Sequence, residues 1–165
     1  MSAILQTPPL PALRFALLEQ THLAVVAHIE RTVYAFPWTL GNFCDSLAAG
    51  YTCWGAWLDD GRREPIAYAI VMLALDEAHL LNLAVAAPWQ GRGVGSALLS
   101  HVIEDARQQR CEMLYLEVRP SNVNGLRLYE RFGFRHLGIR RGYYPAVTGR
   151  EDALFLGLNI ASSLL

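Results

Sequence analysis

The run QGRGVGSALL, residues 90–99, sets Gly91, Gly93 and Gly95 immediately ahead of an apolar stretch with helical spacing. Glycine is the poorest ordinary helix former, so three of them at a helix start serve something other than helix stability. A strand, a glycine-rich turn and a helix N-terminus together make an anion site. Backbone N–H groups converge there, and the helix dipole adds about half a positive charge. Glycine lets the backbone approach a ligand without a Cβ in the way. A purely structural turn is the alternative. Among phosphate loops, a P-loop ends in GK[ST], whereas here GSALL follows with no lysine. A dinucleotide fingerprint wants G-x-G-x-x-G in the first βαβ unit, and this G-x-G-x-G lies past the midpoint of the chain.

Glu117 lies in MLYLEV, where Leu114, Leu116 and Val118 share one strand face and Met113, Tyr115 and Glu117 the other. A carboxylate in so apolar a strand is costly unless it faces a cleft, as a general base would, or open solvent at a sheet edge. Tyr129 stands seven residues after Asn122, two turns along one face of a predicted helix. At that spacing beside Leu126 and Phe132 it fits a packed core as well as a site. Trp38, Tyr143 and Tyr144 lie in loop-like contexts beside prolines and fit either core packing or a groove for an extended peptide. Cys44, Cys53 and Cys111 form an odd, widely spaced set without CxxC, and the histidines lack ligand spacing. We therefore expect no disulfide framework and no metal site, only reduced thiols of a cytoplasmic protein.

The elements that must position these groups follow from periodicity. Strands are predicted near 12–18, 51–58, 65–75, 78–86, 113–118, 134–144 and 152–160. Helices are predicted near 22–33, 39–49, 95–109 and 121–133, with Pro37 separating the first two and Gly133 stopping the last. Ser121 or Asn122 is the candidate cap of that last helix. DDGRRE reads as a hairpin loop. The expected fold is a single α/β domain over residues 1–165, a mixed, mostly antiparallel twisted sheet flanked by helices.

Composition agrees with one globular domain. Of 165 residues, 53% are apolar and 18% charged, which excludes disorder. A net charge of −1 supplies no global basic field for nucleic acid or anionic lipid. The short clusters GRRE and GIRRGYY read as solvated surface. The longest apolar run, IAYAIVMLAL, is about half the roughly 20 residues a membrane span needs. MSAILQTPPLPAL has no basic n-region and is broken by prolines, so no signal peptide is expected. These observations lead us to expect a soluble, cytoplasmic monomer with no direct nucleic-acid or membrane partner.

QGRGVGSALL also resembles the Q/R-x-x-G-x-G/A diphosphate motif of the GCN5-related N-acetyltransferases. LLNLAV before it, LEVRPSN after it and LYERFGF beyond fall in that family's order, a likeness centred on residues 78–145. AFPW, LDEAHLLNLAV, LEVRPSN, RRGYYP and GREDA together are similar to the RimI type, the ribosomal-protein-alanine N-acetyltransferases. Gly91 stands where that pattern has arginine, Gly142 where it has asparagine, and Tyr34 where histidine is common.

The resemblance implies acetyl-CoA as co-substrate and no metal. It assigns Gly91, Arg92, Gly93, Val94, Gly95 and Ser96 to the diphosphate. Leu83, Ala84 and Val85 present backbone groups to the pantetheine and thioester, one N–H serving as oxyanion donor. Asn122 bonds the pantetheine arm. Acetyl transfer to nitrogen needs a neutral amine, and an α-amine titrating near ~8 is roughly one-tenth neutral at pH 7. Glu117 is implied as the base, directly or through a water, and Tyr129 as the acid for the departing thiolate. Trp38, Tyr143 and Tyr144 would form the acceptor groove. The implied acceptor is the N-terminal alanine of a small-subunit ribosomal protein. A family member acting on a small amine and a non-catalytic acyl-CoA-binding module are the alternatives.

Overall fold

A computed structural model describes residues 9–161, so most of the N-terminal stretch considered as a leader lies outside the described residues. Seven strands form one sheet: β1 (Leu13–Leu17), β2 (Thr52–Leu58), β3 (Ala67–Ala74), β4 (Glu77–Val85), β5 (Met113–Val118), β6 (Arg135–Pro145) and β7 (Arg150–Asn159). The order across the sheet is β1-β2-β3-β4-β5-β7-β6. Helices α1 (Leu23–Val33), α2 (Leu40–Ala48), α3 (Val94–Gln108) and α4 (Val123–Arg131) cover its faces. Each predicted element is present, its ends moved by one or two residues. Asn122 rather than Ser121 caps α4, its side chain accepting the Gly125 N–H at 3.0 Å.

Alternation along the strands decides which helix covers which face. Leu98, Leu99, Val102, Ile103 and Ala106 of α3 pack with Ala67, Ala69 and Val71 of β3, Leu80 of β4, and Leu114 and Leu116 of β5. On the other face, Leu23, Val26, Ala27 and Ile29 of α1 and Phe43 of α2 pack with Tyr68 and Ile70 of β3 and Ala84 of β4. Thr39 caps α2 reciprocally with Asn42, fixing the chain just after AFPW.

All neighbouring strand pairs are antiparallel except β4 and β5. That parallel pair runs only from Glu77↔Met113 to Leu80↔Leu116. Beyond it β4 continues to Val85 with β3 alone as partner, and β5 continues to Val118 with β7 alone. A register shift between Ile70 and Val71 leaves Leu81 as the extra residue of β4 where the strands part. A bulge at such a point bends the strand away from its neighbour. The sheet therefore opens in its middle, and α1 and α4 stand at the opening.

Candidate functional site

The opening is the floor of a cleft of about 1330 Å³ lined by residues of β4, β5, the glycine loop, α1, α4 and the β6–β7 hairpin. That exceeds the upper end, about 1,000 Å³, of an ordinary single-ligand pocket, so two substrates can meet in it.

One side of the cleft is made largely of backbone. Tyr34 donates its hydroxyl to the Leu83 carbonyl at 2.5 Å, and the Gln90 amide donates to the Val85 carbonyl at 2.9 Å. A strand residue turns its N–H and C=O to the same side, so Leu83 and Val85 both present their N–H groups to the opening. Ala84, alternating with them, turns its backbone toward Tyr68 of β3 and buries its methyl group. The chain then turns through 87–89 into the glycine loop. Gly93 caps α3 at φ 86°, a left-handed conformation that favours glycine, and a Cβ built there would meet nothing within 4 Å. No side chain caps the first turn of α3. Gly91, Gly95 and Ser96 line the same end of the cleft. The other two loop residues do not line it: Val94 is buried in the core, and the Arg92 guanidinium lies over Trp89 at 4.9 Å.

The facing side is made of side chains. Glu117 is 22% exposed, and its Oε1 accepts from Arg140 Nε at 2.9 Å. The GIRRGYY cluster, expected as solvated surface, therefore sends Arg140 to the carboxylate, because the β5-β7-β6 order brings the strands together. Tyr143 and Tyr144 pack edge to face at 4.9 Å, and burial followed by the Glu117 charge raises both phenols, Tyr144 to about 12. They reach Glu117 because β6 bulges between Arg140 and Tyr144. Gly142 sits in that bulge at φ 56°, a conformation that asparagine also tolerates. Asp152 accepts the Gly142 N–H at 2.8 Å and pairs with Arg141, while Arg150 donates to the Gly142 and Tyr143 carbonyls. RRGYYP and GREDA are thus two halves of one bulged hairpin.

Tyr129, 7% exposed, lies between the two sides. Burial, then Tyr144, raises its phenol well above the usual range, so it stays protonated at any working pH. Asn122 lines the cleft, but it caps α4 from outside the helix and does not share a helical face with Tyr129, and its Oδ1 is spent on Gly125. Trp38 lines the far end of the cleft against Phe43, whereas Tyr143 is 45% exposed and stands at the rim against Tyr144.

Four further residues, to which the sequence reading gave no role, line the cleft. Arg119 donates to the Pro145 carbonyl at 2.7 Å, pairs with Glu151 at 3.3 Å, and lies over Tyr144 at 4.3 Å and Phe36 at 5.1 Å. It ties the AFPW loop to the β6–β7 hairpin. Despite desolvation, the Ser121 hydroxyl, the Ser121 N–H and Arg119 hold Glu151 below the ordinary carboxylate range. Glu30 and Tyr34 of the α1 end complete the set, and Glu30 had a legible signal. It follows Leu23, Val26 and Ala27 at helical spacing, a carboxylate on an apolar stripe.

Comparison with known proteins agrees with this geometry. The acetyltransferase (GNAT) family model matches residues 17–134. The [ribosomal protein bS18]-alanine N-acetyltransferase of Escherichia coli K12 is 40% identical over 144 residues, covering 87% of this chain and 95% of that protein. The Salmonella typhimurium protein of the same name is 38% identical over 146 residues, covering 88% and 97%. The crystal structure of the E. coli ribosomal-protein-S18-alanine N-acetyltransferase superposes with a TM-score of 0.83 at 37% identity, covering 93% of this chain and 99% of that one.

Proposed function

Because the chain belongs to the acetyltransferase (GNAT) family, we propose that it transfers an acetyl group from acetyl-CoA to the N-terminal α-amine of a protein beginning with alanine, a small-subunit ribosomal protein equivalent to bS18. The observation that carries this reading is the opened β4–β5 pair, with backbone donors on one side and Glu117 on the other. The residues fit acetyl-CoA. Glycine 91 and 93 leave open space where a Cβ would stand, α3 begins there without a side-chain cap, and the unpaired β4 edge offers a strand-like partner to an amide-bearing arm.

Acetyl-CoA supplies the acetyl group as a thioester, and the protein supplies placement and protons. Leu83 or Val85 N–H is placed to donate to a carbonyl oxygen as negative charge develops on it. Glu117, held by Arg140, accepts a proton from the incoming ammonium, directly or through a water. Tyr129 remains a hydrogen-bond donor and meets the leaving sulfur in that form. Trp38, Tyr144 and the Arg119 clasp border the acceptor end, where a narrow, aromatic opening suits an extended chain terminus. An acceptor of this kind supports a reaction in the cytoplasm. Among the described residues no helix is long and apolar enough to cross a membrane.

Mass spectrometry of an alanine-initiated peptide after incubation with acetyl-CoA tests the assignment. Acetyl on the α-amine is expected. Acetyl confined to lysine, or to a polyamine offered in competition, contradicts it and favours the small-amine alternative.

A further inference from the structure

Where β5 departs, Asn82–Val85 of β4 lose a strand neighbour in the middle of a sheet, yet these residues must hold their N–H groups in a fixed direction. Unpaired strand edges are positions where local opening concentrates. Two residues of α1's end reach this segment. Glu30 is 2% exposed, and its Oε2 accepts the Asn82 amide at 3.0 Å and the Tyr68 hydroxyl. Its Oε1 accepts the Trp38 backbone N–H at 2.8 Å. Four residues later, Tyr34 puts its hydroxyl on the Leu83 carbonyl from the side that β5 has vacated. Burial, then Tyr129 and Glu30, raise the Tyr34 phenol well above its ordinary range, so it remains a donor.

A buried carboxylate costs free energy unless its oxygens are filled, and a leucine on the same stripe would pack without that cost. Leucine would, however, leave three donors unanswered: Asn82, Tyr68 and the Trp38 N–H. Those donors belong to β4, to β3 beneath it and to the loop that borders the acceptor end. One carboxylate therefore joins the acetyl-donor side to the acceptor side.

We propose that Glu30 and Tyr34 are positioning residues: together they replace β5 as the support of the β4 edge, and Glu30 also fixes the AFPW loop against it. They act through Leu83, Asn82 and Trp38 and do not touch the reacting atoms. The inference rests on the proposed use of that edge by the thioester.

Amide hydrogen exchange on the protein without ligand, measured alongside steady-state kinetics, separates the two. Tyr34→Phe removes one hydroxyl and keeps the ring. Exchange at Ala84, whose N–H turns to Tyr68 of β3, should accelerate at least about 5-fold and kcat should fall about 3- to 10-fold, the scale of one neutral hydrogen bond, with acceptor KM unchanged. Glu30→Gln retains the shape but has one acceptor oxygen for two sets of donors, so kcat should fall and acceptor KM should rise, each at least about 5-fold. Unchanged exchange at 82–85 in both variants overturns the support itself. Accelerated exchange with unchanged kcat and KM overturns the positioning role. A wild type that binds no acetyl-CoA in a calorimetric titration, while Tyr34→Phe still loosens 82–85, leaves the support standing and removes the proposed function.

Discussion

The two sides of the cleft are built from different materials. The β4 side, with the glycine loop, presents backbone N–H groups in directions fixed by strand pairing, a left-handed Gly93 and the α3 N-terminus. The β5–β7–β6 side presents side chains: the Glu117–Arg140 pair, the Arg119–Glu151 pair and the edge-to-face tyrosines. A backbone surface recognises what every ligand of one kind shares, here a diphosphate and an amide chain. It changes little when side chains change, so glycine at position 91 is expected to spare the cradle. A side-chain surface can be retuned residue by residue, and the proposed function assigns acceptor choice and proton transfer to that side.

The sharpest way to break this contrast is at the loop. Gly93→Glu puts a side chain and a negative charge where the backbone must approach a diphosphate, and should weaken acetyl-CoA binding at least about 100-fold in a calorimetric titration. The melting temperature should fall by about 2–12 °C, since the cost is left-handed backbone strain of about 1–3 kcal/mol. Gly93→Asn, which tolerates that conformation, should retain most of the affinity. Equal binding by wild type and Gly93→Glu would deny the backbone side its role.

The next effect belongs to the boundary between the two sides. Tyr129→Phe should lower turnover about 10²- to 10⁴-fold, the range for a positioned proton donor, and leave acetyl-CoA affinity within about 3-fold. Unchanged turnover would return Tyr129 to the core, where Phe134 already contacts its ring.

The same contrast explains what the sequence made legible. The glycine loop and Glu117 were legible because each leaves a local trace, glycine where helix should begin and a carboxylate in an alternating strand. The helical spacing of Tyr129 fitted a core as well, and only the family resemblance singled it out. All seven strands and four helices follow from similar periodicities. The side-chain contacts leave no such trace. Arg140 meets Glu117 only because β7 lies between β5 and β6, and Tyr34 meets Leu83 across 49 residues of chain. Asn122 carried two readings: as a cap of α4 it is borne out, whereas the helical face it was to share with Tyr129 is lost because a cap stands outside the helix.

A smaller effect sharpens the side-chain half. Glu151 titrates below the ordinary carboxylate range in the folded protein, so its contribution to stability is present above the unfolded value of about 4.3 and is lost as pH falls through the folded value. Glu151→Gln should lower the melting temperature modestly at pH 7, and the gap should close below about pH 4. A gap of the same size at pH 7 and pH 3 would show that the Arg119–Ser121 clasp owes nothing to its charge.

The division of labour itself is tested most directly by the pH dependence of Glu117→Gln with an alanine-initiated peptide. If the side-chain half removes the ammonium proton, raising pH above the α-amine value near ~8 supplies neutral amine without Glu117. The rate deficit of the variant should then be greatest near pH 6.5 and shrink at least about 10-fold by pH 9.5. A deficit that stays constant across that range would contradict the account and leave Glu117 as a carboxylate that only orients Arg140 and the tyrosines.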